Sequence, residues 1–472
     1  MSKIVKTLKE AISLCGLESG MTISFHHNLR GGDTIAGEIV KTIDEMGLGH
    51  IKIAPSSLLT GHDVLVPYIK NRTISRIDPS GFTPILGEAL QRGFFEEVCT
   101  MRTHGTRPRD MENGTLKIDV AFIAVSCCDK WGNCNALTGR SAFGSLGYSI
   151  MDARHAKKVI VVTDGLSDDP VVPISIDQGM VDYVVPVGSI GDPAGIVTTS
   201  LKVTKDPINL KIAALTAEII RHSGYLKNGV CMQTGAGGIS LAVASYLEKR
   251  MLEDQITGNF AMGGITGALV DLLEKGLLKV LYDVQTFDLR AIQSLSKNEN
   301  HLEVAASVYA NPDVRGGPIV NGLDFVILGG TEIDVDFNVN VHTDSNNRLI
   351  SGAGGHGDTA EGAKMTIITA PAFRSRTPTI VDRVNTISTP GRCVDVYVCQ
   401  RGVAVNTALP KNKELFYRLR NAGLPVTDIH DLKKDIEKIT GVPKKVKKGD
   451  KTVGRIIWRD GSLLDEVKSL AD

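Results

Sequence analysis

Met21-Thr-Ile-Ser-Phe25, then His26-His-Asn-Leu-Arg-Gly-Gly32, then the helical run Asp33–Met46 is the stretch that decides the fold. It reads as a strand that passes through a glycine turn into a helix. Gly229-Val-Cys-Met-Gln233, Thr234-Gly-Ala-Gly-Gly238 and the helical run Ile239–Arg250 repeat the pattern in the second half. A unit met twice predicts two related domains, and 472 residues suffice for two at roughly 100–200 residues each. The boundary is expected near Ser223, after a helix over Pro207–His222, giving domains 1–223 and 224–472.

Outward from these units, short β-branched runs alternate with helical patterns. Val120-Ala-Phe-Ile-Ala-Val125 and Val159-Ile-Val-Val162 are continuously apolar, as strands buried on both faces must be. Further strands are expected at His50–Ile53, Tyr183–Val187, Val280–Asp283, Phe325–Leu328 and Lys364–Thr369. The predicted class is therefore α/β, two tandem domains with mainly parallel sheets, and ligands bind such pairs at the carboxyl ends of the strands.

Lys+Arg and Asp+Glu both number 53, so the net charge is zero, which argues against a dedicated nucleic-acid binder. No apolar run approaches the ~18 residues that span a bilayer. Met1–Leu17 has helical apolar spacing with lysines between, so it reads as an amphipathic helix and not as a signal peptide. The 8 cysteines are sparse, and the cluster Cys127, Cys128, Cys134 has no nearby His, a poor metal site. Buried thiols in a reduced cytoplasm are the expectation, with no metal.

Glycine is in excess, at 49 residues, and it is concentrated in three loops. These are Asn28-Leu-Arg-Gly-Gly-Asp33, Thr234-Gly-Ala-Gly-Gly-Ile239 and Ser351-Gly-Ala-Gly-Gly-His-Gly-Asp358. Glycines between a strand and a helix let backbone N–H groups approach an anion and aim the helix dipole at it. No loop fits a phosphate-loop or dinucleotide-binding pattern. Gly235, Gly237 and Gly238 are the first candidates for oxyanion donors, with Gly354 and Gly355 second. His26, His27, Arg30, Gly31, Gly32, His356, Arg374 and Arg376 form the candidate binding set for a small polycarboxylate, since arginine forks suit carboxylates.

The glycine loops carry a resemblance. Gly235-Ala-Gly-Gly238 with Gly352-Ala-Gly-Gly-His-Gly-Asp-Thr-Ala-Glu-Gly-Ala363 resembles the second half of CoA-transferases, and Ser126–Cys134 resembles a segment of their first half. Phe25–Asp33, Asp78-Pro-Ser-Gly-Phe82, Thr103-His-Gly-Thr-Arg107, Gly258–Gly267 and Arg455–Ser462 are similar, over nearly the whole chain, to the citrate lyase alpha-subunit family. That resemblance implies an acyl transferase: acetyl thioester plus citrate gives citryl thioester plus acetate. It implies a citrate lyase gamma subunit (the acyl carrier protein) with a phosphoribosyl-dephospho-CoA arm, replaceable by acetyl-CoA, and no permanently bound cofactor. A citrate lyase beta subunit that cleaves the citryl thioester, and an oligomeric cytoplasmic complex, are implied as well.

One departure from the CoA-transferase pattern stands out. Those enzymes carry a nucleophilic Glu shortly before a Gly-x-Val-Asp-Leu helix. The corresponding stretch here, Asn259–Gly267, has no carboxylate, so a covalent enzyme thioester cannot form there. Citrate is then expected to attack the donor thioester directly, with Met262, Gly263 and Gly264 lining the acyl pocket and Glu361 structural. A citramalate-specific homologue, a catalytically silent CoA- or carrier-binding scaffold, and related hydrolases or isomerases are the competing readings. The lysines at 444, 445, 447, 448 and 451 read as a solvated face, or as a docking patch for an acidic partner.

Overall fold

Two sheets organise the chain, for which the computed structural model describes residues 2–26, 28–197, 203–235, 237–444 and 446–471. In the first sheet the strands are β1 (Thr22–Ser24), β2 (Ile51–Ile53), β3 (Ile74–Ile77), β4 (Val120–Val125), β5 (Lys158–Thr163) and β6 (Tyr183–Pro186). They lie in the order β3-β2-β1-β4-β5-β6, every pair parallel. The second sheet holds β7 (Cys231–Thr234), β8 (Gly258–Ile265), β9 (Leu278–Thr286), β10 (His301–Glu303) and β11 (Phe325–Gly329). It continues with β12 (Met365–Thr369), β13 (Val396–Cys399), β14 (Gly402–Val405) and β15 (Val426–Thr427). Their order is β10-β9-β8-β7-β11-β12-β13-β14-β15, parallel except between β13 and β14.

The succession β9-β8-β7-β11-β12-β13 repeats β3-β2-β1-β4-β5-β6, so the sequence repeat corresponds to a repeat of topology. β1 and β7 hold equivalent central places. Each lies where the strand order reverses, and the crevice outside the carboxyl end of such a strand is where open parallel sheets bind ligands.

The apolar runs form buried strands for the expected reason. Val120, Ala121, Phe122, Ile123 and Val125 of β4 and Val159 to Val162 of β5 are all buried, because helices cover both faces of a parallel sheet. The amphipathic start of the chain is a helix over Leu8–Cys15; the Thr7 hydroxyl accepts from the Glu10 N–H, and Gly16 ends the helix in the left-handed region at φ 67°.

Two elements pack across the expected 223/224 division. The helix Pro207–Ser223 puts Ile212, Ala213, Ile219 and Ile220 into the apolar core of the second half, against the helix Gly238–Glu253. At the other end, β16 (Lys448–Ile457) and β17 (Leu463–Leu470) form a hairpin whose first strand pairs in parallel with Cys99–Arg102 of the first half. Arg455–Gly461 forms the end of β16 and the tight turn of this hairpin, closed by the Trp458 N–H donating to the Ser462 carbonyl at 2.8 Å. Lys444, Lys447, Lys448 and Lys451 are all exposed, partial desolvation lowers the Lys448 pKa, and Lys445 lies outside the described residues. Among the described residues no helix is long and apolar enough to cross a membrane.

Candidate active site

The carboxyl ends of β1, β7, β8 and β11 converge on a cavity of about 440 Å³ between the two halves. Its floor is built by close contacts that only glycine permits. Gly81 and Gly352 meet in an antiparallel bridge, and a Cβ on Gly352 would lie 2.1 Å from the Ser80 carbonyl oxygen. The loop 351–355 is thereby seated on the first half. The His104 N–H ties it further, donating to the Gly354 carbonyl at 2.9 Å. Below it, the Asp358 carboxylate accepts from the Thr103 hydroxyl (2.9 Å) and the Gly105 N–H (3.0 Å). Arg459 of the hairpin lies 3.5 Å from the same carboxylate, whose pKa burial pushes up to about 6 against that charge.

Arg30 enters the cavity from the turn after β1. It is 9% exposed and sits in the left-handed region at φ 54°, uncommon for a residue other than glycine. Its guanidinium lies 5.4 Å from the centre of the Phe287 ring, its Nε has no hydrogen-bond partner, and among the described residues no carboxylate pairs with it. Burial lowers its pKa to about 10, so it stays charged at neutral pH. The described lining residues include no Asp, Glu, Lys or Cys, so Arg30 is the wall's permanent charge. A buried cation without an internal partner calls for an anion from outside.

The glycine loops divide into those that face this cavity and those that do not. Gly235, Gly237, Gly264, Gly354 and Gly355 line it. Gly237 caps the 16-residue helix Gly238–Glu253, whose positive end is thus directed toward the cavity. Gly238 is that helix's first residue and does not line the cavity. Among the described residues the N–H groups of Gly237, Gly238, Gly354 and Gly355 enter no backbone hydrogen bond. The expectation for Gly235 needs correcting: its N–H donates to the Ile327 carbonyl at 2.7 Å, continuing the β7–β11 ladder, and is not available to a ligand.

Several other expected site residues serve the frame instead. Gly31 and Gly32 are small so that the turn 192–195 can approach; a Cβ on Gly32 would lie 2.0 Å from the Asp192 carbonyl oxygen. His26 lies behind the cavity wall, 3.7 Å from Asp152, which is also gripped twice by Arg107 at 2.7 Å. His27 lies outside the described residues. His356 borders the cavity, but one ring nitrogen meets the Thr389 hydroxyl (2.7 Å) and the other the Gly329 carbonyl (2.8 Å). Arg374 donates to the carbonyls of Thr331 (3.1 Å) and Gly330 (3.0 Å), bracing the wall from outside. Arg376 is exposed and reaches the Ile439 carbonyl.

The residues expected to line an acyl pocket belong to strand β8. Met262 is fully buried core, Gly263 clears space for the Gln233 side chain, and Gly264 faces Phe287 at the cavity. Glu361 accepts from the Cys393 thiol at 2.7 Å and is not on the wall.

Residues that the sequence reading missed complete the site. Tyr148 and His104 pair through a 2.6 Å contact between the phenol and Nδ1. Gln233, at the end of β7, donates from Nε2 to the Tyr309 phenol at 3.1 Å. Burial, and then Arg107, pushes the His104 pKa down to about 3, so the imidazole is neutral. The run Thr103-His-Gly-Thr directly after a strand was the signal available for His104; Tyr148 and Tyr309 had none.

The buried histidines, two of them on the cavity wall, have a consequence for acid stability. Burial lowers His26, His62 and His356 to about 4, and His104 and His342 to about 3. Each binds fewer protons folded than unfolded below its ordinary value near 6.5, so stability is lost as pH falls through 6.5 toward 4. The shifted carboxylates go both ways. Burial raises Asp33 and Asp358 to about 6, whereas Arg107 and His26 overcome burial to hold Asp152 low. The urea midpoint is expected to fall between pH 7 and pH 5; a midpoint that rises over this interval would contradict the buried neutral imidazoles.

The family model for citrate lyase, alpha subunit (CitF), matches residues 1–470. The citrate lyase alpha chain of Klebsiella pneumoniae is 45% identical over 468 residues, covering 99% of this chain and 91% of that one. A citrate lyase alpha subunit from Streptococcus mutans, crystallised with citrate, superposes with a TM-score of 0.96 at 42% identity, covering 100% of this chain and 92% of the other. The malonate decarboxylase alpha subunit of Acinetobacter baumannii shares the fold, with a TM-score of 0.66 at 16% identity over 94% of this chain and 93% of that one. The chain belongs to the citrate lyase alpha-subunit family, one component of an enzyme complex.

Proposed function

We propose that this chain exchanges acetate for citrate on an acyl thioester, forming citryl thioester and acetate. The observation that carries this reading is Arg30, a buried guanidinium without a carboxylate partner, on the wall of a cavity bounded by two glycine loops. Citrate in the Streptococcus mutans relative supports the choice of anion. The acyl donor is the phosphoribosyl-dephospho-CoA arm of a gamma-subunit carrier protein, or acetyl-CoA in its place, and a beta subunit consumes the citryl product. Citramalate is the nearest competing acid, since it differs from citrate by one carboxylate.

The mechanism is direct. A carboxylate of citrate attacks the acetyl carbonyl carbon, the C–S bond breaks, and a mixed acetyl–citryl anhydride and a thiolate result. The thiolate then attacks the citryl carbonyl of the anhydride and expels acetate. No proton is consumed overall, and no enzyme nucleophile is required. The absence of Asp, Glu and Cys from the described cavity wall supports this over a covalent route. In this reading Arg30 anchors the acid, holding the reactants together, and the N–H groups of Gly237, Gly354 and Gly355 stabilise the oxyanion that forms at each attack. The purified chain mixed with acetyl-CoA and citrate is expected to release acetate and form citryl-CoA in equal amounts. Acetate without citryl-CoA would indicate a hydrolase, and neither product would indicate a silent scaffold.

A further inference from the structure

We infer that Gln233 reads the hydroxyl group of a hydroxy-acid substrate, accepting its O–H on Oε1, and so determines selection of a hydroxy polycarboxylate over the same acid without its hydroxyl. The inference rests on the exchange reading above, and it names what that site recognises besides charge.

Gln233 is 7% exposed and lines the cavity at the end of β7. Its amide is held from two sides. Nε2 donates to the Tyr309 phenol at 3.1 Å. Gly263, at φ 97°, leaves room for the carboxamide, since a Cβ there would lie 2.7 Å from the Gln233 Cδ and Nε2. With Nε2 committed, Oε1 is left buried and without a hydrogen-bond partner.

Oε1 differs in kind from the groups expected to meet the substrate's charge. Arg30 and the backbone N–H groups of the glycine loops are donors, and the Thr234 hydroxyl can act either way. A carboxamide oxygen can only accept. A carboxylate has no proton to give it and would be repelled by it, so the charged groups of the substrate belong to Arg30 and the N–H groups. The matching substrate group is a neutral O–H. Bound without one, the acid leaves a buried acceptor unpaired. Sites of that kind reject the deoxy analogue far more strongly than a hydrophobic pocket rejects a missing methylene.

The test is calorimetric titration of the full chain with citrate and with propane-1,2,3-tricarboxylate, its analogue lacking the hydroxyl, alongside acetate release with each acid. Wild type is expected to favour citrate by about 10²-fold or more. Gln233→Met, similar in volume and lacking the acceptor, is expected to bring the two acids within about tenfold, mainly by weakening citrate. Gln233→Glu keeps an acceptor and is expected to retain the preference while weakening both acids. Circular dichroism checks that each variant is folded. An unchanged citrate preference in Gln233→Met overturns the inference, as does a variant whose only defect is in acyl-CoA affinity. Equal binding of the two acids to wild type overturns it too. If the preference is found but wild type releases no acetate with citrate, the exchange reading fails and the assignment of Gln233 stands.

Discussion

Replacing Arg30 with Met is expected to lower kcat/KM for citrate by about 10²–10³-fold while leaving the melting temperature unchanged or higher. The two halves of this expectation have one cause. In the free protein the guanidinium is buried without a carboxylate, so its desolvation is uncompensated except by the Phe287 ring at 5.4 Å. Removing it relieves that cost. With substrate bound, the same group is one side of a buried charge pair, and truncating such a side costs about 2–5 kcal/mol of binding. Arg30→Gly should add stability, because the residue sits at φ 54°, where glycine bears no Cβ penalty. Steady-state kinetics for both substrates, with thermal melts, check the pair of effects. Unchanged kinetics in Arg30→Met would remove this residue from the site, and a large loss of melting temperature would show that it serves the fold.

Gly237→Val is expected to reduce kcat by about 10²–10³-fold, the scale of one lost oxyanion donor, in a protein that remains folded. Gly237 lies at φ −91° and ψ 147°, extended backbone that valine readily adopts. A Cβ there would meet nothing nearer than the Ser240 hydroxyl at 3.9 Å. The added methyl groups therefore crowd the helix N-terminus beside the cavity and not the core. Gly264 provides the contrast, since its Cβ would lie 2.0 Å from the Phe287 ring. Gly264→Val is expected to fail in folding, and a Gly237→Val protein with a normal circular-dichroism melt and slow turnover separates the two kinds of glycine. A Gly237→Val enzyme with unchanged kcat would show that the reacting thioester does not lie against this turn.

What was legible in the sequence follows from where each signal resides. Parallel strands are buried on both faces, so β4, β5, β11 and β12 announce themselves as runs of apolar and β-branched residues. β8 does not, because Gly258, Gly263 and Gly264 interrupt it. Those glycines answer to side chains from elsewhere, Gln233 and Phe287 among them, which no local pattern reveals. The same division holds in the site. Arg30 was legible because it shares a turn with two glycines directly after a strand, although the glycines themselves proved to accommodate the turn 192–195. His356 and Arg374 looked like ligands by type and position, yet their donors are spent on the carbonyls of Gly329, Gly330 and Thr331. Tyr148, Gln233 and Tyr309 come from separate elements of both halves, and only the packing of the two sheets brings them to one cavity.

The measurement that tests direct exchange most sharply is the intact mass of the protein after incubation with acetyl-CoA alone, followed by acid quench. Asn259–Gly267 holds no Asp or Glu, and the described cavity wall adds no Asp, Glu or Cys. Direct exchange therefore leaves the mass unchanged, with acetate appearing only once citrate is added and intersecting initial-rate plots for the two substrates. A CoA or acetyl adduct that maps to a residue of the chain and disappears on addition of citrate, together with parallel rate plots, would contradict it.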